Sequence, residues 1–387
     1  MKLSSTFFEH FEDLPDPRKQ NQHLKHKLMD IIIITVLGTI CGANRMVEVC
    51  EYAEANITWL KGFLELEHGI PSHDTFERVF SRLNPIMFEE RFRNWTSSLS
   101  LLPDGSLKNV IAIDGKTSRG SKCVKQNIKP IHTVSAWACS QKLMLGQIKT
   151  EEKSNEITAI PKLLDMVDIK DSVVTIDAMG CQTKIQNKII EAGGDYVINV
   201  KNNQKTLAKE IKALFAYADT IQYKKIFNRH MLEKDVDHGR FEKRRYSLLA
   251  LKDCPEFSLR WPGLKSIGRI ELKSIEEHVV TTSTRYFVTS LQYDDIKDFM
   301  NSARKHWDIE INLHWSLDVS FREDENKMRK GFSSENVGMI RRIALNLLKQ
   351  EKTHKRGIEC KRKRAGWDKD YLWRVLTSDR HLTESMI

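Results

Sequence analysis

Residues 109–117, NVIAIDGKT, and residues 172–180, SVVTIDAMG, decide how this chain folds. Each is a short apolar run that ends in an aspartate, Asp114 in the first and Asp177 in the second. Val110-Ile111-Ala112-Ile113 shows no polar alternation, the pattern of a strand covered on both faces. A carboxylate is costly to leave unpaired inside such a sheet. It is therefore expected at the sheet edge, as a rigidly held oxygen ligand. Two of them suit a divalent cation such as Mg²⁺, which takes oxygen ligands and keeps several waters. The competing reading is that each aspartate caps the turn or helix after its strand.

Outward from these runs, IHTVSAWAC (131–139) and KLMLGQIKT (142–150) read as strands that form an antiparallel meander with the first. NEITAIPKLLDMV (155–167) reads as a helix. TKIQNKIIEAGG (183–194) reads as another, stopped by Gly193 or Gly194. DYVINVK (195–201) is again a strand. Three meander strands followed by strand–helix–strand–helix–strand predict a mixed sheet with helices on its faces. Residues 202–290, with charge-rich alternating runs such as KKIFNRHMLEKDVDHGRFEKRRYSLLAL, are expected to be a β-rich insertion. A long helical segment starts near Asp294–Asp295, and SENVGMIRRIALNLLKQE predicts another.

Residues 1–105 read as an all-α domain. LMDIIIITVLGTICGA is a core helix, MVEVCEYAEANITWLKGFLEL is amphipathic, and PSHDTFERVFSRL is a helix with Ser72 or Asp74 as its cap. The turn at Gly69 and Pro71 and the arginines Arg78 and Arg82 fit a helix-turn-helix DNA reader. They fit equally a bundle with solvated arginines. LLPDGSLKN (101–109) is a linker.

The chain has 387 residues, 40% hydrophobic and 29% charged, which predicts a soluble globular protein of two or three domains. Net charge +10 and pI near 9.1 favour a polyanionic partner, nucleic acid or an anionic membrane surface. Seven cysteines with no CxxC pair read as reduced thiols, not a disulfide or zinc framework. The start lacks the plan of a signal peptide. The longest apolar stretch, about 28–43, is broken by Asp30 and falls short of the ~20 residues a membrane span needs. A cytoplasmic protein without membrane association is expected.

Two strand aspartates make part of a two-metal site, in which ions ~3.5–4 Å apart clamp the attacking and leaving oxygens of a phosphoryl displacement. A third acid is expected, and Glu310 in HWDIEINLHWSLDVSFRED is the candidate. His306, Glu310 and His314 fall on one helix face, with Trp307, Ile311 and Trp315 on the adjoining apolar face. Asp308, Asp318, Glu323 and Asp324 compete. The plain alternative for Glu310 is an exposed acid paired with Lys305, and the His306/Glu310/His314 row could instead hold zinc.

Motifs spread along nearly the whole length carry a resemblance. They include PDPRK, PSHDTFERVF, IAIDGKTSRGS, EKSNEITAIPKLLD, TIDAMGCQ, GGDYVINVKNNQ, DHGRFEKR and HWDIEINLHWSLDVSFREDENKMRKG, in that order. The chain resembles a DDE transposase of the H-repeat-associated protein family, encoded by bacterial insertion sequences. The resemblance implies a ribonuclease H-like core: a mixed sheet flanked by helices, with a β-rich insertion. The first acid lies on strand one, the second at the end of strand four, and the third on a helix after the insertion. Asp114, Asp177 and Glu310 stand at those points, as catalytic residues holding two Mg²⁺ or Mn²⁺ ions. The implied reaction is cleavage of insertion-sequence ends and strand transfer into target DNA. Implied partners are double-stranded DNA and further copies of the chain on that DNA, at the bacterial nucleoid. Relatives carry a Tyr, an Arg and a Lys at set distances from the third acid. Here those offsets hold Ala303, His306 and Leu317, so His306 is the candidate phosphate contact in place of the Arg. Two other readings stay open: a catalytically inactive DNA-binding remnant, and a metal-dependent nuclease without strand transfer.

Remaining constellations carry less. GKT (115–117) ends like a phosphate-binding loop, but the required earlier Gly is Val110. Lys116 and Arg119 are expected to contact DNA phosphate or to solvate a turn. Lys201, Asn202 and Gln204 follow a strand at a sheet edge where a substrate backbone could pass. Asp237, His238, Gly239 and Arg240 read as a turn. Lys361, Arg362, Lys363 and Arg364 are expected to bind phosphate without reading sequence. The expected organisation is a helical domain (1–105), a catalytic domain (106–348, insertion about 202–290) and a basic C-terminal segment (349–387).

Overall fold

Ile113 and Ile176 are register partners on neighbouring parallel strands, and the sheet grows outward from that ladder. The computed structural model describes residues 6–18, 24–99, 108–123, 127–150, 155–237, 240–252, 255–277 and 279–378. The linker at 101–107 and the His238–Gly239 turn lie outside the described residues. The chain opens with helices α1 (Thr6–Phe11), α2 (Leu28–Ile40), α3 (Met46–Ala55), α4 (Ile57–Leu60), α5 (His73–Arg82) and α6 (Pro85–Leu99). Then come β1 (Asn109–Ser118), β2 (Ile131–Ala138), β3 (Leu143–Lys149), α7 (Glu156–Leu164), β4 (Ser172–Ile176), α8 (Thr183–Glu191) and β5 (Asp195–Val200). The segment expected to be β-rich from 202 starts instead with a helix, α9 (Lys205–Thr220), which buries Leu207, Ile211 and Phe215 at helical spacing. β6 (Asn228–Asp237), β7 (Arg240–Ala250), a short α10 (Pro255–Arg260), β8 (Ser266–Glu276) and β9 (Val279–Thr289) follow. The chain ends in α11 (Ile296–Lys305), α12 (Ser333–Gln350), α13 (Ile358–Trp367) and α14 (Lys369–Leu376).

The strand order is β3-β2-β1-β4-β5-β9-β8-β7-β6. β1, β2 and β3 are antiparallel neighbours, while β1, β4 and β5 run parallel. Helices α7 and α8 make the crossovers that parallel neighbours require. This is the ribonuclease H-like arrangement expected from the sequence. The insertion does not form a separate body: β9 pairs antiparallel with β5 and extends the same sheet. A small second core lies on one face, where Val173, Val197, Tyr246, Leu248 and Phe287 pack under Phe299 of α11.

α12 explains how the helices join the sheet. It is buried from Asn336 to Leu348 and packs on α2, α5, α6, β3, α13 and α14. Asn336 donates to the carbonyls of Phe80 and Leu83 (2.8 Å each), which locks α12 to the end of α5. The N-terminal helices therefore share one apolar core with the sheet. α5 buries Phe76, Val79 and Phe80 and leaves Arg78 and Arg82 exposed.

The C-terminal segment departs from expectation. Although rich in Lys and Arg, residues 358–376 are helical and packed. Ala365, Tyr371, Leu372 and Val375 are fully buried. Lys361 and Arg362 are buried too. Lys361 donates to the carbonyls of Leu348 (2.8 Å) and Glu351. Arg362 donates to the Thr39 carbonyl (2.9 Å) and lies over the Phe321 ring. Their long apolar stems made burial possible without an apolar period in the sequence. Among the described residues no helix is long and apolar enough to cross a membrane.

Candidate active site

Asp114 and Asp177 are each the next residue after the Ile113–Ile176 pair, so they lie level on adjacent parallel strands. Parallel register also puts them on one face, with Ala112 and Thr175 below them. That face is the one α11 covers. Beyond α11 the chain stays helical, with residues 310–314 and 316–320 wound as wider π-turns. Such segments recur at functional sites.

The predicted row on this helix spans both aspartates. His306 Nδ1 lies 3.2 Å from the hydroxyl of Thr175, two residues before Asp177. His314 Nδ1 lies 3.4 Å from Asp114 Oδ2. Glu310 sits midway between these histidines on the same row, and its side chain is exposed. The two histidines thus address different aspartates, an arrangement unlike a shared zinc site. Trp307, Ile311 and Trp315 remain exposed at 43%, 62% and 57%, with Arg285 stacked over Trp307.

Electrostatics show that the acids feel one another. Burial pushes the Asp114 carboxyl up to about 7, against the pull of the Gly115 N–H, and the charges of Glu156, Glu310 and Asp177 push it further in the same direction. Burial drives His314 down to about 4, helped by Lys116 and Arg342, so it is a neutral imidazole near neutral pH. His306 is lowered as well, by burial, with Asp177 opposing. Asp177 also caps the short turn 178–180 by accepting from the Met179 N–H (2.8 Å). The capping role and the edge position coexist.

Sequence reasoning missed Glu156. It opens α7 and exerts the strongest carboxylate influence on Asp114. Its Oε1 lies 2.8 Å from His132 Nε2, and His132 Nδ1 lies 2.8 Å from the Thr117 hydroxyl. A carboxylate only accepts, so Nε2 carries the proton of that contact. Gly115 makes room for it: a Cβ there would meet Glu156 Oε1 at 2.1 Å. The signal in the sequence was an acid at the first turn of the helix following the third meander strand, inside EKSNEITAIPKLLD.

Other predicted contacts fall into two groups. Arg119 is 85% exposed, and Lys201 and Asn202 are exposed beyond β5. Gln204 instead braces the turn after Asp177, donating to the Cys181 carbonyl (2.8 Å), and Asn203 does the same to Ala178 (2.5 Å). Lys116 is buried and ion-paired with Asp318 (2.6 Å), Glu323 (3.5 Å) and Asp324 (3.8 Å). Like Lys361 and Arg362, it is buried with its donors engaged by protein oxygens. The same pairs tie Asp318, Glu323 and Asp324 to Lys116, whereas Glu310 has no Lys or Arg partner among the described residues.

Among the described residues no three His, Cys, Asp or Glu side chains already converge tightly enough to hold one ion. The donor set nevertheless fits a hard divalent cation. Asp114, Asp177 and Glu310 offer only oxygen, the charges of Asp177 and Glu310 are felt at Asp114, and none has a Lys or Arg partner among the described residues.

The family described as "Transposase DDE domain" matches residues 105–347, and its companion, described as "DDE_Tnp_1-associated", matches residues 8–96. The "H repeat-associated putative transposase YhhI" of Escherichia coli strain K12 is 38% identical over 376 residues, covering 95% of this chain and 97% of that protein. The "Putative transposase YncI" of Escherichia coli O157:H7 is 37% identical over 378 residues, covering 96% and 95%. A solved piggyBac transposase synaptic complex with hairpin DNA aligns with 98% of this chain and 77% of its own, at 11% identity and a TM-score of 0.40. That score is too low to bear on the fold, which rests on the strand order. Matched almost end to end by H repeat-associated relatives, and over more than half its length by the domain model, this chain belongs to the DDE transposase family.

Proposed function

We propose that the chain is a metal-dependent DNA transposase that cleaves insertion-sequence ends and joins them to target DNA. One observation carries this reading: two aspartates level on adjacent parallel strands, crossed by a helical segment whose His306 and His314 meet Thr175 and Asp114; Glu310, between those histidines in the sequence, is the third acid of the reading. Carboxylates without a Lys or Arg partner suit a pair of divalent cations, Mg²⁺ or Mn²⁺. Asp114 and Asp177 would hold the ions, Glu310 would complete the set, and Glu156 would add a fourth carboxylate on the Asp114 side. When bound, the ions supply Lewis-acid polarisation of the scissile phosphate and a lowered pKa for attacking water.

This chain's residues do the rest. His306 and His314, both neutral near pH 7, fix the helix row against Thr175 and Asp114 without adding positive charge. Exposed Arg119, Lys201 and Asn202 would take the DNA backbone, and the net charge of +10 draws it in. In the first step water attacks phosphorus, the P–O3′ bond breaks, and the 3′-oxygen leaves as a hydroxyl. In the second, that hydroxyl attacks a target phosphodiester and releases one target 3′-hydroxyl. Both steps exchange one ester bond for another or for water, with no redox change. Joining two ends at one target calls for several copies of the chain on DNA, acting at the bacterial nucleoid.

The test is incubation of labelled element ends with plasmid DNA and Mg²⁺. Covalent joining of the labelled 3′ end is the expected result. Cutting without joining leaves a nuclease, and retention without cutting leaves an inactive DNA binder; either overturns the proposal.

A further inference from the structure

Tyr286 of β9 is the register partner of Val200, the last residue of β5, so Val279–Arg285 run on past that strand's end. Seven residues at ~3.3 Å each carry the extension formed by β6–β9 about 23 Å beyond the edge at which Asp114 and Asp177 stand. Side chains alternate between its two faces. One face meets α11: Tyr246 and Phe287 pack with Phe299, and Glu233 pairs with Arg304 (2.8 Å). The other carries a row fixed by register, Lys234 opposite Lys243 and Lys243 opposite Lys273, with Thr282 at its end. All three lysines are exposed, and none has an ion-pair or hydrogen-bond partner among the described residues. The neighbouring rows on this face are Val236–Phe241–Ile275–Val280 and Leu232–Arg245–Glu271–Thr284. Their one acid, Glu271, is engaged by Arg269 (3.2 Å). Asp235 and Glu242 belong to the α11 face, where Arg244 takes both. Residues directly opposite on antiparallel strands have Cβ atoms ~5 Å apart, and like charges there destabilise a sheet. A polyanion lying along the row relieves that repulsion.

We propose that this lysine row grips the phosphate backbone of double-stranded DNA, as a contact separate from Arg119, Lys201 and Asn202. Three lysines at strand spacings of ~4.8 Å span about 10 Å, close to three phosphate steps along one DNA strand at ~3.4 Å of axis each. An ammonium on a flexible stem meets phosphate as a point charge, so the contact reads no base. Val236 and Val280, exposed at 72% and 54% at the two ends of the adjoining row, lie against deoxyribose. The choice of DNA over another polyanion rests on the action on DNA proposed above.

Fluorescence anisotropy of a labelled duplex, titrated with the full chain in EDTA between about 50 and 200 mM salt, tests the row without strand cleavage. Lys234→Gln, Lys243→Gln and Lys273→Gln combined should lower the slope of log K against log salt by about 2.7, at ~0.9 for each phosphate. Over that salt range the native chain should lose about 40-fold more affinity than the triple variant. Lys243→Glu alone, an acid set between two lysines, should lower the slope by about 1.8 and carries the test if the triple variant fails to fold. Gln at Lys61, Lys170 and Lys355, exposed lysines outside the extension, should leave the slope within about 1 of the native value. A slope unchanged by both row variants, or lowered as much by the control, overturns the proposal. Phosphatidylserine–phosphatidylcholine vesicles that sediment the native chain but not the triple variant, with the DNA slope unchanged, assign the face to a membrane surface and equally overturn it. With no metal present, this outcome is separable from the active-site reading. A chain that never joins DNA yet shows the slope change keeps the row, and one that joins DNA without it loses the row.

Discussion

Replacing Asp114 by Asn should stabilise the metal-free chain, and the size of the gain follows from the site. The folded chain holds the Asp114 proton to about pH 7, whereas the ordinary value for the group is 3.8. Between those values the folded state binds more protons than the unfolded state, so stability falls as pH rises, and the loss is complete above pH 7. At 1.36 kcal/mol for each tenfold change in proton affinity, the difference amounts to about 4 kcal/mol, an upper bound because the carboxyl is 22% exposed. Asn carries no charge to repel Glu156, Glu310 and Asp177. In EDTA at pH 8 the variant should therefore outlast the native chain by up to about 4 kcal/mol, or about 5 °C if the chain unfolds as one unit. At pH 4 the two should coincide. On the proposed reading Mg²⁺ takes only the folded native site, so adding it at 100 times Kd should return about 2.7 kcal/mol to the native chain and little to the variant. Urea and thermal melts at both pH values, with EDTA and with Mg²⁺, read all of this. A variant no more stable than the native chain at pH 8 in EDTA would refute the idea that these acids crowd an unmet charge.

Further outcomes can be checked independently. Glu310→Gln should abolish end cleavage while DNA retention persists; full activity would pass the role of third acid to Glu156, because Asp318 and Asp324 are engaged by Lys116. Gly115→Ala should leave the far-ultraviolet circular dichroism unchanged but remove the thermal shift given by Mn²⁺, since the new Cβ displaces Glu156. Burial raises the Glu323 carboxyl, yet Arg342, Lys116 and Arg341 outweigh it and hold it at about 2. Its contribution is present above about pH 4.5 and disappears as pH falls through 2. Glu323→Gln should thus cost about 3–5 kcal/mol at pH 7 and little near pH 2, by urea denaturation. For DNA binding, Arg119→Ala and Lys201→Ala should each reduce the slope of log K against log salt by about 0.9. Lys361→Met should leave that slope unchanged and lower the melting temperature instead.

The core of the fold was legible because its strands are covered on both faces. Continuous apolar runs at 110–113 and 173–176 are readable from local pattern alone, and so are the helices that connect parallel strands. Asp114 and Asp177 were legible for the same reason, as charged residues where apolar runs stop. The row of His306, Glu310 and His314 on one helical segment followed from helical spacing. Glu156 carried no comparable contrast: in a polar helix start, an acid is the commonest kind of residue, and only the β1–α7 approach at Gly115 distinguishes it.

What residue order by itself determined is therefore the periodic part: which segments are strands or helices, and where a carboxylate interrupts an apolar run. Only the tertiary structure decided which cations are free. Lys116, Lys361 and Arg362 look like surface bases in the sequence, yet each is buried against oxygens supplied by residues that fold in beside it. A long aliphatic stem lets a lysine or arginine serve either environment, so its fate depends on which carbonyls and carboxylates arrive beside it.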